Sequence, residues 1–135
     1  MVVGAAGERG LTAEVAGERG IDLGGRTDLP LLAAGLAECE LVVTNDSGPM
    51  HLAAAVGTRT LSLQGPADPE LTRPLGEGHV LLWGGELPCV PCVRNECPRT
   101  GPGYRLPTAE RECMRLIEVD TVEEALSLRL SRHLT

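Results

Sequence analysis

The sequence has no phenylalanine and no lysine, and its only aromatic residues are Trp83 and Tyr104. Hydrophobic residues still make up 42% of the chain, so a core must be built from leucine, valine and alanine. All 12 basic residues are arginine, and with 19 acidic residues the net charge is −7. Because a nucleic-acid-binding surface needs a basic patch, we expect no nucleic-acid partner.

Long apolar runs are also missing. No stretch approaches the roughly 20 consecutive apolar residues of a transmembrane helix. The N-terminus lacks the charged segment and apolar run of a signal peptide. The sequence therefore predicts a cytoplasmic protein with no transmembrane segment. At 135 residues the chain is long enough for one domain with its own core.

Apolar segments alternate with helix signals over the first two-thirds of the chain. Strands are predicted at residues 1–3, 21–23, 41–44, 60–63 and 80–83, and helices at 8–17, 28–38 and 49–56. Leu11 and Val15, spaced i and i+4, support the first helix. Asp28 is a typical N-cap before Pro30 in the first turn of the second helix. This alternation predicts an α/β fold with a parallel sheet and helices on both faces.

A polar turn joins the third predicted strand to the third predicted helix. Residues 44–51 read Thr-Asn-Asp-Ser-Gly-Pro-Met-His, and small residues of helical character follow. A helix N-terminus presents unpaired backbone N–H groups and positive dipole charge, so this arrangement can bind an anion. Gly48 lets a phosphate approach the backbone, and Pro49 suits the first helical turn. A capped βα turn without a ligand is the alternative interpretation.

Residues 44–58, the Gly-Pro-Ala-Asp-Pro segment at 65–69 and the cysteines at 89–97 carry a resemblance to a known family. Together they closely resemble the nucleotide-sugar-binding half of the heptosyltransferases, glycosyltransferase family 9, and most of all the heptosyltransferase II type. The likeness continues to Val119 and Val122, so it covers most of the chain. Ala67 and Gln64 depart from the family pattern, which usually has threonine and an aromatic residue at these positions.

The resemblance implies the C-terminal, donor-binding domain of a GT-B glycosyltransferase, here truncated. Its activity would be inverting transfer of heptose from ADP-heptose, or a related nucleotide sugar, to the lipopolysaccharide inner core. The lipid-linked acceptor would be bound through the missing first half, so this chain is expected to be inactive alone. Its location would be cytoplasmic, with peripheral association to the inner membrane left open. Rival interpretations are a non-catalytic nucleotide-binding or interaction module and a small zinc-binding domain.

The resemblance also implies a set of donor-binding residues: Glu8, Thr44, Asp46, Ser47, Gly48 and His51. The 46–48 loop would hold the diphosphate and sugar, and Asp46 would bind sugar hydroxyls because a carboxylate repels phosphate. His51 would stabilise the leaving diphosphate, and Glu8 would bind the nucleotide ribose. The alternatives are structural. In them Asp46 and Glu8 cap helices, and His51 is satisfied by a neighbouring carbonyl.

Four of the five cysteines follow the pattern Cys89-x2-Cys92-x4-Cys97-x15-Cys113. Four thiolates suffice for a tetrahedral zinc site. The resemblance requires no cofactor, so a structural zinc and a set of reduced thiols both stay open. A Cys- and Pro-rich loop is expected at 86–107, followed by a C-terminal helix at 121–133. A capping box at 121–124 would open that helix, with Val122, Ala125, Leu126 and Leu130 on one face.

Overall fold

A computed structural model describes residues 1–85, 87–92, 94, 97 and 111–131. The chain forms two compact units, Met1–Cys39 and Glu40–Thr135. No helix in the described ranges is both long and apolar enough to span a bilayer.

The first unit contains a 3-10 turn at Ala6–Glu8 and two helices, α1 at Arg9–Ala16 and α2 at Leu29–Ala37. Asp28 is the N-cap of α2, as predicted, and its Oδ1 accepts a 2.9 Å hydrogen bond from the Leu31 amide. The strands predicted at 1–3 and 21–23 are reduced to one parallel bridge between Val2 and Asp22. The two helices were therefore predicted correctly, whereas the two strands were over-predicted.

Helix α1 buries a different side from the one its apolar residues mark. Thr12 and Ala16 are its buried residues, whereas Leu11 and Val15 are 61% and 65% exposed. Glycines make room for Thr12, because a Cβ on Gly24 would lie 2.0 Å from Thr12 Oγ1. The i, i+4 pair thus identified the helix but not its packed face.

The second unit is built on a parallel sheet. Its strands are β1 at Val42–Asn45, β2 at Thr60–Gln64 and β3 at Val80–Trp83, in the order β1-β2-β3. Its helices are α3 at Gly48–Ala55, α4 at Pro69–Thr72, α5 at Glu112–Arg115 and α6 at Val119–Leu130. The predicted parallel α/β arrangement is confirmed, and all three strand predictions lie within one residue of the observed ends.

The central strand β2 carries the core of this unit. Leu61 is fully buried, and so are Met50 and Ala53 of α3, which packs against β1 and β2. The alternate positions on β2 are polar yet equally buried: Thr60, Ser62 and Gln64. Thr60 Oγ1 lies 3.0 Å from His79 Nδ1, and Ser62 Oγ donates to the Val80 carbonyl at 3.3 Å. The buried hydroxyl groups of Thr60 and Ser62 thus find their hydrogen-bond partners at residues 79–80, where β3 begins.

The C-terminal helix begins earlier than predicted. Glu118 is its N-cap and makes no side-chain capping bond, so the capping box expected at 121–124 is wrong. Val122, Ala125 and Leu126 are half-buried on one face, while Leu130 is 44% exposed. Residues 132–133 and most of the predicted 86–107 loop, including Tyr104, lie outside the described residues.

Candidate functional site

The turn between β1 and α3 lies at the carboxyl edge of the parallel sheet. Strand β1 ends at Asn45, Asp46 and Ser47 form the turn, and α3 begins at Gly48. Gln64 and Trp83 end the other two strands at the same edge. Open α/β sheets bind their ligands outside the carboxyl ends of the strands. The predicted loop therefore occupies the position expected of a ligand site.

The hydroxyl groups in this turn bond to the turn itself and leave the helix end uncapped. Ser47 is the N-cap of α3 but makes no side-chain capping bond. Its Oγ donates instead to the Asn45 carbonyl at 3.2 Å and lies 3.4 Å from Thr44 Oγ1. Gly48 is exposed, and a Cβ placed on it would meet no heavy atom within 4 Å. Open space therefore faces an uncapped helix N-terminus, as anion binding requires.

Asp46 and His51 flank this opening without internal partners. Asp46 is half-buried and His51 is exposed. Neither side chain makes a hydrogen bond or ion pair within the described part of the chain. The structural alternatives, in which Asp46 caps α3 and His51 is held by a carbonyl, are not what the structure shows. Both side chains are free to meet a ligand.

Glu8 lies in the first unit, at the end of the 3-10 turn. Its Oε2 accepts a 2.7 Å hydrogen bond from the Ala5 amide, and the residue is exposed. The capping alternative for Glu8 thus matches the observed contact. To bind a ribose, Glu8 would have to use its other carboxylate oxygen, Oε1, or give up the hydrogen bond from the Ala5 amide.

The loop after Asp22 is ordered by contacts that the sequence analysis missed. Asp22 Oδ1 accepts from the Gly24 amide at 2.9 Å, and Arg9 Nη2 donates to the Gly25 carbonyl at 3.0 Å. The Gly24 hydrogen bond, with further help from Thr12 and nearby arginines, holds the pKa of Asp22 below its usual value. The Asp-x-Gly-Gly spacing was the available signal, since aspartate often bonds the backbone two residues on.

The Gly-Pro-Ala-Asp-Pro segment forms a second loop at the carboxyl edge of the sheet. Asp68 Oδ1 accepts from the Glu70 amide at 3.0 Å and begins the short helix α4, which was not predicted. The Gly65 carbonyl accepts from Trp83 Nε1 at 3.2 Å, and the Pro66 carbonyl accepts from the Cys92 amide at 2.9 Å. This rim loop, residues 65–69, is thus fastened to β3 and to the cysteine segment.

Four cysteines surround one pocket behind the rim loop. Cys89, Cys92, Cys97 and Cys113, together with Arg94 and Arg111, line an open space of about 290 Å³. None of the five cysteines in the chain is disulfide-bonded. Burial raises the pKa of Cys113, and the neighbouring Cys92 and Cys97 add to that effect. Within the described ranges, no three His, Cys, Asp or Glu side chains are placed to hold a metal ion as they stand.

A parallel sheet with an open, polar strand–loop–helix junction at its carboxyl edge defines an α/β domain of the nucleotide-binding type. Residues 4–101 match the profile of glycosyltransferase family 9 (heptosyltransferase). The chain belongs to this family, as its motifs indicated.

Named relatives and solved structures agree with the family assignment. Lipooligosaccharide heptosyltransferase 2 of Campylobacter jejuni is 32% identical over 110 residues, covering 81% of this chain and 32% of that protein. The Haemophilus influenzae protein of the same name is 46% identical over 62 residues, covering 46% of this chain and 18% of its own length. The structure of Escherichia coli ADP-heptose LPS heptosyltransferase II matches with a TM-score of 0.69 at 26% identity, over 98% of this chain and 36% of that one.

A family 9 glycosyl transferase structure from Veillonella parvula has the same fold, with a TM-score of 0.63 at 21% identity, over 96% of this chain and 36% of that one. The match to family 9 structures confirms the predicted fold class, a Rossmann-like α/β domain of the GT-B kind. This chain spans about a third or less of the length of the relatives it matches.

Proposed function

We propose that this chain binds the nucleotide-sugar donor of a heptosyltransferase, ADP-heptose or a close relative, for transfer to the lipopolysaccharide inner core. The observation that carries the proposal is the uncapped N-terminus of α3, facing open space at Gly48 in a family 9 chain. Backbone N–H groups at such an end complement a diphosphate by both hydrogen bonding and dipole charge. The lipid-linked acceptor would be bound by protein outside this chain.

The polar side chains of the turn divide into two proposed roles. Ser47 and Thr44 hydroxyls sit beside the helix end and supply hydrogen bonds to the diphosphate. His51, in the first turn of α3, donates to the departing diphosphate and stabilises its negative charge. Asp46 accepts from the sugar hydroxyls, because its charge would oppose a phosphate. The proposal requires no cofactor, since the helix end supplies positive dipole charge and His51 supplies a hydrogen-bond donor.

The test is calorimetric titration of ADP into the protein and its Gly48 variants. A Cβ at Gly48 would occupy the space through which the phosphate approaches, yet it would meet no protein atom within 4 Å. Valine at this position adds two further methyl groups to the same space. We therefore expect Gly48→Ala to weaken ADP binding at least about tenfold, or 1.4 kcal/mol, and Gly48→Val to abolish it. Thermal unfolding should be unchanged or slightly improved, because alanine favours helix over glycine.

The matched control is Gly35→Ala in α2. A Cβ there meets only the flexible Met1 side chain, at 3.4 Å, so ADP binding should equal that of the parent. Asp46→Asn distinguishes sugar binding from diphosphate binding. It should lower the affinity for ADP-heptose and leave the affinity for ADP unchanged. Parent-like ADP binding by Gly48→Val would overturn the proposed site.

A further inference from the structure

The thiol pocket, lined by Cys89, Cys92, Cys97 and Cys113, is a chemical feature that donor binding leaves unexplained. Three of these residues come from the segment 89–97, and the fourth comes from α5. All four are free thiols. Within the residues that the structure describes, no three His, Cys, Asp or Glu side chains are placed to hold a metal ion, so the pocket does not fit zinc. Thiols that share a pocket without converging in threes suit chemistry that joins two sulfur atoms at a time.

The rim loop brings Cys92 and Cys113 to this pocket through two neighbouring residues. The Cys92 amide donates to the Pro66 carbonyl at 2.9 Å. A Cβ on Gly65 would lie only 2.9 Å from Cys113 Sγ, so that sulfur atom packs directly against Gly65. Residues from two separate segments of the sequence are thus held by adjacent residues of one loop.

A second contact joins the same two segments. Arg111 Nη1 donates to the Arg94 carbonyl at 3.3 Å. Arg94 lies two residues after Cys92, and Arg111 lies two residues before Cys113. The segment that carries Cys92 and the start of α5 therefore approach each other on both sides of the two cysteines.

The two thiols differ in exposure, and this difference assigns their order of reaction. Cys113 is only 6% exposed, and burial raises its pKa, so it stays protonated and shielded at neutral pH. Cys92 is half-buried. A small oxidant therefore reaches Cys92 first, and a sulfenic acid formed there shares its pocket with a second thiol.

We propose that Cys92 and Cys113 form a reversible disulfide when the protein meets a peroxide, and that this bond fastens the segment 89–97 and the rim loop to α5. The Cys92 sulfur takes one oxygen atom from hydrogen peroxide, becomes a sulfenic acid and releases water. The Cys113 sulfur then attacks the Cys92 sulfur and displaces a second water. The two thiols lose two protons and two electrons in total, and the peroxide is reduced to two molecules of water. A dithiol reductant reverses the bond by exchange.

The consequence of the bond is a stiffer carboxyl edge of the sheet. Cys92 bonds to Pro66 and Cys113 packs on Gly65, so a covalent link between the cysteines restrains the rim loop from two sides. Amide exchange in residues 65–69 should therefore slow at least about threefold on oxidation and recover on reduction. Exchange in α1 and α2 of the first unit should stay the same.

The test is mild oxidation of the 135-residue protein with about one equivalent of hydrogen peroxide, followed by intact mass and tryptic mapping. We expect a loss of two hydrogens that dithiothreitol restores. Trypsin cuts after Arg94 and Arg111, so Cys92, Cys97 and Cys113 lie on three different peptides. Fragmentation of the linked pair then distinguishes Cys92 from Cys89.

Cys39→Ser is the matched control and should form the same bond as the parent, because Cys39 lies in the first unit and donates to the Gly35 carbonyl. Cys92→Ser should form no disulfide under the same treatment. Oxidation of the parent in urea, where the folded pocket is lost, should give a mixture of pairs.

Three results would overturn the proposal. They are a folded parent that forms no disulfide, a bond that maps to any other pair, and the same mixture of pairs in folded and unfolded protein. A Cys92–Cys113 bond that leaves exchange in residues 65–69 unchanged would overturn the restraint of the rim loop. None of these readouts involves nucleotide, so failure here leaves donor binding untouched.

Discussion

Gly84 offers the sharpest test of how the C-terminal segment packs on the sheet. In Gly84→Ala the new Cβ would lie 1.7 Å from the Cys113 carbonyl oxygen and 2.7 Å from its carbonyl carbon. Real Cβ contacts stay beyond 3.0 Å, so α5 and the end of β3 must separate by more than an ångström. The obstructing atoms are backbone and cannot be relieved by rotating a side chain. Overpacking of this kind costs about 1–3 kcal/mol or more.

Thermal unfolding followed by circular dichroism measures this effect. For a chain of 135 residues, about 1–3 kcal/mol corresponds to a fall in Tm of roughly 4–11 °C, because the unfolding entropy is about 2.1 cal/mol/K per residue. Gly48→Ala is the control, because the same methyl group added there meets nothing within 4 Å. A Gly84→Ala protein that melts within about 2 °C of the parent would refute the packing of α5 on β3.

Two further predictions concern pH. The Gly24 hydrogen bond lowers the pKa of Asp22, so its carboxylate stabilises the fold above the unfolded pKa of about 3.9, and that stability is lost as the pH falls through the lower folded value. Asp22→Asn should therefore be less stable than the parent at pH 7 and match it at about pH 2 in thermal unfolding; an equal deficit at both would contradict this. Burial raises the pKa of Cys113, so the stability that the neutral buried thiol allows is fully present below the unfolded pKa of about 8.5 and is lost as the pH rises through the higher folded pKa. Cys113→Ala should lack this alkaline loss in urea titrations from pH 7 to 10, and an identical slope in both proteins would argue against a buried thiol.

The strands and helices of residues 40–83 could be predicted because their signals are local. Apolar runs bounded by turn residues gave β1, β2 and β3 to within a residue, and Pro49 placed the start of α3. Helices α4 and α5 were missed because each has only four residues, too few for a periodic pattern. The capping box at 121–124 failed because α6 begins at Val119, inside which Thr121 is only another helical residue.

The site was predictable in position but not in detail. A strand, a glycine turn and a helix place Asp46, Ser47 and Gly48 at a sheet edge whatever the tertiary contacts are. The orientation of Ser47 was not predictable. Its hydroxyl donates to the Asn45 carbonyl and does not cap the backbone N–H groups of α3. The meeting of Cys113 with Cys92 likewise depends on how α5 returns to β3, which no local pattern encodes.

The buried amide of Gln64 has a consequence for protein engineering. Its Nε2 meets only the Met50 sulfur, at 3.7 Å, and its Oε1 has no hydrogen-bond partner in the described part of the chain. An unmet buried acceptor forfeits about 1–3 kcal/mol, which is large beside the 5–15 kcal/mol that holds a typical domain together. A thermostable form of the domain is therefore best sought first at this single position, before any surface residue is changed.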